Sequence, residues 1–293
     1  MVRLFSYNNL KYVNFLIILI GNFIISAKAQ GGDCAIFQDI VNELGASKSE
    51  YIGDNCCNLT GSVTCIDSHI TEIKLNGLKC RGVNIPTINI EKVINKISTL
   101  PHLTSFEMSN GKSCVMPGNI AELKNIKSLT LSGNDYHVSI PENISQLVNL
   151  EKLDLSGNRL VGNIPDSYSK LKNLKSLNLN SNNLNGYIPY SFKNLENLNE
   201  LYLSHNNGLK GYIPKMANID VCNYERTGLC ILSSTTCYTN IVKVCTLNDL
   251  KQSNHLNGNP DPDSTEFNND IIEGDKYNRI KKEEKRKVFQ FQF

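Results

Sequence analysis

Hydrophobic and asparagine positions in the middle of the chain repeat with a fixed step of 24 residues. The step defines two leucine columns and one asparagine column, which are Leu129, Leu153, Leu177 and Leu201; Leu131, Leu155, Leu179 and Leu203; and Asn134, Asn158, Asn182 and Asn206. An Ile-Pro pair follows each turn and ends at Pro141, Pro165, Pro189 and Pro214, the last shifted by one residue. A period of this length indicates a structural unit that stacks on copies of itself.

The shared line L-x-x-L-x-x-L-x-L-S-x-N-x-L-x-G-x-I-P predicts the local structure of each unit. The L-x-L alternation directs both leucines to one face of a short strand and the residue between them to the other. The asparagine amide should turn inward and satisfy backbone groups, each bond contributing about 1 kcal/mol. This spacing is that of the leucine-rich repeat. It predicts an α/β solenoid, a short horseshoe of about six parallel strands, over residues 70–217.

Two of these strands precede the regular repeats. Phe106–Met108 is a degenerate turn that lies 23 residues before Leu129. Ile73–Leu75 is the first strand, and the apolar spacing of Ile88–Leu100 predicts a helix between the two.

Residues 1–29 have the organisation of an export signal. Basic residues come first, an apolar run follows over Phe15–Ile25, and Ala27-Lys28-Ala29 offers a cleavage site. The alternative is an uncleaved anchor, but the run has 11 residues and a spanning helix needs about 20. The sequence therefore predicts a secreted, extracellular protein, possibly bound at the cell surface or cell wall, without a membrane span in the mature chain.

The ten cysteines avoid the repeats and predict two stapled ends. An even number of cysteines in an exported chain favours disulfides over metal ligands. The cysteines assigned to disulfides are Cys34, Cys56, Cys57, Cys65, Cys80, Cys114, Cys222, Cys230, Cys237 and Cys245. We assign residues 30–69 to an amino-terminal cap and residues 218–247 to a carboxyl-terminal cap. Cys80 and Cys114 follow adjacent strands at similar distances and could bridge neighbouring turns. The last four cysteines allow three connectivities.

The paired cysteines at Cys56-Cys57, the Gly61-Ser-Val-Thr-Cys65 segment and the L-x-G-x-I-P line together resemble the plant-type extracellular leucine-rich-repeat proteins. That family includes receptor-kinase ectodomains and secreted inhibitors of polygalacturonases. The resemblance covers roughly Cys34–Pro214. It implies an extracellular binding function and the disulfides Cys34–Cys56 and Cys57–Cys65.

Composition and motifs argue against other function classes. The net charge is +2, with 30 basic and 28 acidic residues, so nothing favours nucleic acid as a partner. The sequence has no H-x-x-x-H, C-x-x-C or G-x-S-x-G motif. We expect no enzyme, no cofactor and no metal.

Binding in a solenoid of this kind normally uses the concave sheet face. The candidate partner-binding residues are Glu107, Glu151, Asp154, Lys175, Asn178, Glu200, Tyr202 and His205. The competing interpretation is that these are ordinary solvated strand positions. Another extracellular protein is the expected partner. The alternatives are a structural protein that binds cell-wall polysaccharide and a truncated receptor ectodomain.

Two sequons and a tail complete the predictions. Asn58 and Asn143 are glycosylation acceptors in an exported chain. Residues 248–293 lack repeats and apolar periodicity, which predicts disorder. Arg279–Lys287 holds six basic and two acidic residues; contact with an acidic polymer or a membrane competes here with a solvated tail.

Overall fold

The computed structural model describes residues 32–44, 56–58, 61–80, 88–112, 114–231, 243–246 and 249. The predicted signal peptide, Cys237 and all of the predicted tail except Asp249 lie outside these residues. Two helices are described, α1 at Asp33–Glu43 and α2 at Ile90–Ile97. The strands are β1 Val63–Ile66, β2 His69–Lys74, β3 Ser105–Glu107, β4 Ser128–Thr130, β5 Lys152–Asp154, β6 Val161–Gly162, β7 Ser176–Asn178, β8 Asn183–Gly186, β9 Glu200–Tyr202, β10 Gly208–Tyr212, β11 Val221–Asn223, β12 Gly228–Ile231 and β13 Lys243–Val244.

The strands form two sheets that run along the solenoid. The larger has the order β1-β2-β3-β4-β5-β7-β9-β11, with β1 antiparallel to β2 and every later pair parallel. Its register advances by one repeat per strand, so that Leu129, Leu153, Leu177 and Leu201 stand side by side. The predicted leucine-rich-repeat solenoid is confirmed. The structure also adds a seventh parallel strand, β11, within the predicted carboxyl-terminal cap.

The core of the solenoid is a stack of buried leucine columns. Both leucines of each L-x-L pair are fully buried, from Leu129 to Leu203. The cap helices add to the same cluster, because α2 buries Ile90, Val93, Ile94 and Ile97 on one face. No single turn has a second layer of its own, so each turn depends on its neighbours for burial.

The asparagine column lies inside the turn that follows each strand, as predicted. The Nδ2 of Asn182 donates to the carbonyls of Leu155 and Leu179, each at 3.0 Å. Its Oδ1 accepts from the backbone N–H of Leu160 at 3.0 Å. Asn158 and Asn206 repeat the arrangement one turn earlier and one turn later. Each amide therefore joins successive repeats through bonds that water cannot replace.

A second, smaller sheet follows the asparagine turn, with the order β13-β12-β10-β8-β6 and parallel pairing throughout. Gly186 in β8 has a φ of +78°, a left-handed value that side chains other than glycine resist. The convex side is then completed by short 3-10 helices at Ile120–Glu122, Glu142–Gln146, Asp166–Lys170 and Tyr190–Asn194.

Disulfides close both ends of the solenoid. Cys34 pairs with Cys56 and Cys57 with Cys65, as the resemblance implied. Cys80 pairs with Cys114 across neighbouring turns. At the other end Cys230 pairs with Cys245, and Cys222 is also disulfide-bonded. No described cysteine is free.

Candidate functional site

The concave face consists of the side chains on the larger sheet that point away from the leucine core. These are the residues directly before and after the buried position of each strand, together with those that lead into and out of it. The position after the buried residue is occupied by Lys74, Glu107, Thr130, Asp154, Asn178, Tyr202 and Asn223. The buried position itself is almost uniform, whereas this column differs at every repeat.

Glu151 lies at the centre of the face between two lysines from the adjacent repeats. Lys175 donates to its carboxylate at 2.6 Å, and the Lys127 amine lies 3.5 Å from the other oxygen. The hydrogen bond and charge of Lys175, with a smaller contribution from Lys127, lower the pKa of Glu151. The predicted residues Glu151 and Lys175 are thus brought together in one ion-pair row across three strands.

Asp154 and Asn178 form a second row beside the first. The carboxylate of Asp154 accepts from the backbone N–H and the hydroxyl of Ser156, at 2.9 and 2.6 Å. Its other oxygen accepts from Nδ2 of Asn178 at 3.1 Å. These side chains are held in place by neighbouring repeats before any partner arrives.

Glu107 lies nearer the amino-terminal end and belongs to a separate network. Its carboxylate accepts from Nδ2 of Asn76 and from the hydroxyl of Ser109, each at 2.8 Å. Lys74 on the neighbouring strand instead pairs with Glu72, at 3.2 Å. The concave face is therefore divided into locally bonded clusters, and the structure does not join Glu107 to the central rows.

Tyr202 and Glu200 lie on β9, near the carboxyl-terminal end of the face. Tyr202 is partly exposed, and burial together with the nearby charge of Glu200 raises its pKa. His205 is exposed at the rim, where its Nδ1 lies 3.2 Å from the hydroxyl of Ser204. These three predicted residues occupy one end of the face, away from Glu107.

His205 belongs to a column of left-handed residues at the end of each strand turn. Seven positions share φ values from 54° to 72°, and they are Gly77, Asn110, Gly133, Gly157, Ser181, His205 and Arg226. The backbone N–H of His205 donates to the carbonyl of Glu225 at 2.8 Å, which holds this turn against the next repeat. The turn geometry therefore directs the imidazole to the rim of the concave face.

Sequence reasoning missed the seventh strand and the concave residues that it carries. Its pattern is Met216-x-x-Ile219-x-x-Cys222-x-Tyr224, in which cysteine and tyrosine replace the L-x-L leucines. The spacing from Leu201 to Cys222 is also 21 residues instead of 24. The retained L-x-x-L spacing was the signal that could have revealed it. The strand adds Asp220, Val221, Asn223 and Glu225 to the face.

A second regular surface runs beside the concave face, on the turn that enters each strand. Five exposed asparagines lie there, one per repeat, and we call them the asparagine column: Asn125, Asn149, Asn173, Asn197 and Asn218. Each Nδ2 donates to a backbone carbonyl of the preceding repeat, at 2.6 to 3.2 Å. The amides thus share one orientation along the solenoid, at steps of about 4.8 Å.

The two sequons differ in what the structure shows. Asn143 lies in the convex 3-10 helix Glu142–Gln146 and is half-buried, and its Nδ2 donates to the carbonyl of Gly118 at 2.7 Å. The side chain of Asn58 lies outside the described residues. Glycosylation of either asparagine stays a prediction.

Two further features of the described residues bear on chemistry and location. The sulfur atoms of Cys34, Cys56 and Cys57 lie within 4.8 Å of one another, because two disulfides adjoin there. Neither described helix is long and apolar enough to cross a bilayer.

Comparison with known proteins agrees with this architecture. Residues 148–207 match the family described as Leucine rich repeat. No curated protein matches the chain in sequence. The solenoid is similar to the crystal structure of a plant ice-binding protein, with a TM-score of 0.53 and 25% identity over 69% of this chain and 72% of that one.

Two receptor ectodomains are also similar in structure. The ectodomain of the receptor kinase SOBIR1 from Arabidopsis thaliana is 26% identical over 61% of this chain and 95% of its own, with a TM-score of 0.46. A TDR receptor is 30% identical over 55% of this chain and 26% of its own, with a TM-score of 0.44. The resemblance to plant-type extracellular leucine-rich-repeat proteins is confirmed.

Proposed function

We propose that this leucine-rich-repeat protein recognises another extracellular protein through its concave face. The observation that supports the proposal is the contrast between columns. The leucines, asparagines and Ile-Pro pairs that build the solenoid recur at the same positions in the regular repeats, whereas the column from Lys74 to Asn223 changes at each step. A surface that only had to be solvated would not need fixed side-chain positions, yet the Glu151 and Asp154 rows are held by neighbouring repeats.

The chemistry of the face suits a folded or extended protein partner. It is polar and of mixed charge, as protein interfaces are at their rim, and Tyr202 offers an aromatic side chain of the kind that dominates binding energy. Side chains that are already ordered lose little conformational entropy when a partner binds. The disulfides at both ends are typical of proteins that work in an oxidising, extracellular compartment.

The test is capture of partners from extracellular protein and wall-glycan fractions by the mature chain and by a double variant, Asp154→Ala with Tyr202→Ala. A matched control replaces the same residue types on the convex side, Asp166→Ala with Tyr190→Ala. We expect the concave variant to weaken capture of a protein about 30-fold, the effect of losing about 2 kcal/mol at an interface centre. The convex variant should bind as the native chain does.

Two results would contradict the proposal. Equal capture by both variants would remove the concave face from the interaction. Retention on wall glycan alone, insensitive to either variant, would favour the structural polysaccharide-binding alternative. Far-UV circular dichroism of each variant checks that the solenoid is intact.

A second candidate function is binding to a repeating ligand through the asparagine column. The specific observation is the row of equally oriented amides, one per repeat, whose carbonyl oxygens accept no hydrogen bond from the described residues. A polysaccharide has a matching kind of repetition, and the structural neighbour with the higher TM-score is an ice-binding protein.

The double variant Asn149→Leu with Asn173→Leu tests this candidate in two assays. Loss of retention on wall glycan would favour a polysaccharide ligand, and loss of thermal hysteresis in freezing solution would favour ice. A native chain that neither binds glycan nor shows hysteresis would eliminate the asparagine column as a binding surface.

A further inference from the structure

The concave face ends in a surface that we call the acidic end, formed by Glu200, Tyr202, Asp220, Val221 and Glu225. The register of β9 and β11 aligns Glu200 with Val221 and places both on the concave side. The Val221 side chain is 45% exposed, which makes it one of the few large apolar side chains open to solvent among the described residues. An aromatic and an aliphatic side chain therefore lie on an open sheet surface between carboxylates.

The carboxylates of the acidic end are not neutralised by the solenoid. Within the described part of the chain, Glu200, Asp220 and Glu225 make no ion pair, whereas Glu151 in the centre of the same face has two lysine partners. Arg226 follows Glu225 but does not approach it within ion-pair distance. The negative charge at this end is thus available to a cationic ligand.

The sequence contains a segment with the complementary character. Arg279–Lys287 carries six basic and two acidic residues, with Ile280 inside it and Val288-Phe289 directly after it. Basic side chains interrupted by apolar ones match a surface on which Tyr202 and Val221 lie between carboxylates. The segment therefore complements the acidic end in both charge and hydrophobicity.

The chain is long enough to bring the two together. Thirty residues separate Asp249 from Arg279, and a chain of that length spans at most about 100 Å. Seven parallel strands at about 4.8 Å extend over only about 30 Å. The last described strand, β13, pairs with β12, which follows β11 in the chain. The chain therefore leaves the described solenoid at the end that carries the unpaired carboxylates.

We propose that Arg279–Lys287 binds the acidic end of the concave face of its own chain. Covalent connection makes this an intramolecular contact, with an effective concentration in the millimolar range that even weak ion pairs can exploit. The contact shares a face with the proposed recognition function, but it needs no external partner. An external ligand would have to displace the segment, so the same contact would regulate access to Tyr202.

The test is zero-length carbodiimide cross-linking of the full mature chain, which joins a lysine amine to a carboxylate in contact with it. We expect lysines of the 279–287 segment to couple to Glu200, Asp220 or Glu225 about tenfold more than to Glu122 and Glu142, exposed carboxylates of the convex side. Mixing unlabelled and isotopically labelled chains identifies coupling within one molecule. In about 1 M salt, where the Debye length is about 3 Å, the preference should disappear.

A pair of variants separates binding from mere reactivity. Glu200→Gln with Glu225→Gln leaves Asp220 as the reporter, and its coupling to the segment should fall about tenfold. The matched control Glu122→Gln with Glu142→Gln should leave that coupling unchanged. Even coupling over both sides of the solenoid, coupling only between different molecules, or no coupling of the segment would each overturn the proposal. The proposed recognition function would survive any of these results, since it is measured by partner capture.

Discussion

Replacing Asn182 by alanine should destabilise the solenoid far more than replacing an exposed asparagine of the same repeat. Asn182 is 9% exposed and makes hydrogen bonds to two carbonyls and one backbone N–H. In the alanine variant the Leu155 carbonyl still accepts from Asn158, and the Leu179 carbonyl still accepts from Asn206. The N–H of Leu160 keeps no partner among these side chains, so it becomes a buried unsatisfied donor.

The magnitude follows from that difference. An orphaned buried N–H costs about 1–3 kcal/mol, and each carbonyl bond lost contributes about 0.5–1 kcal/mol. Together they predict a loss of about 3 kcal/mol in the free energy of unfolding. Asn173→Ala removes one bond of 2.9 Å to the Val148 carbonyl, but this side chain is exposed and water replaces the bond, so about 0.5 kcal/mol is expected.

Urea unfolding followed by far-UV circular dichroism and tyrosine fluorescence measures both variants. Tyrosine is a suitable probe because the chain has 12 tyrosines and no tryptophan. Equal m-values for native and variant proteins would show that the same surface unfolds in each. A difference between Asn182→Ala and Asn173→Ala of less than about 1 kcal/mol would refute the reasoning, because burial would then not decide the strength of these bonds.

Three further predictions concern the cap, a turn and the concave face. Replacing both Cys230 and Cys245 by serine opens a 15-residue loop and should lower the free energy of unfolding by about 3 kcal/mol in urea titrations. Gly186→Ala should cost about 1–2 kcal/mol in the same assay, because a methyl group at φ +78° meets the amide oxygen of an asparagine in the preceding repeat. The carboxyl of Glu151 should titrate below its ordinary pKa of 4.5 in a carbon-detected NMR titration, and Lys175→Met should raise that pKa. The stabilising charge of Glu151 is present above pH 4.5 and is lost as the pH falls through the lowered pKa; an unchanged pKa in Lys175→Met would contradict the pairing.

The candidate site was only partly accessible to sequence reasoning. The period placed Glu151, Asp154, Asn178 and Tyr202 on the concave strands, since alternation about a buried leucine fixes the direction of the neighbouring side chains. It could not show that Glu151 is neutralised while Glu200 is not. That difference depends on side-chain conformations across adjacent repeats, which are about 24 residues apart in sequence and meet only after stacking.

What the sequence determined by itself is the repeating interior: leucine columns, inward asparagines and a stapled amino-terminal cap. These features are local, because every turn must bury the same side chains and satisfy the same backbone groups. Only the tertiary structure revealed the second sheet and the seventh strand, where Cys222 and Tyr224 stand in leucine positions. The physical reason is that strand pairing with a formed neighbour can retain a turn whose own pattern is weak, so the end of the solenoid is decided by stacking and not by the repeat motif.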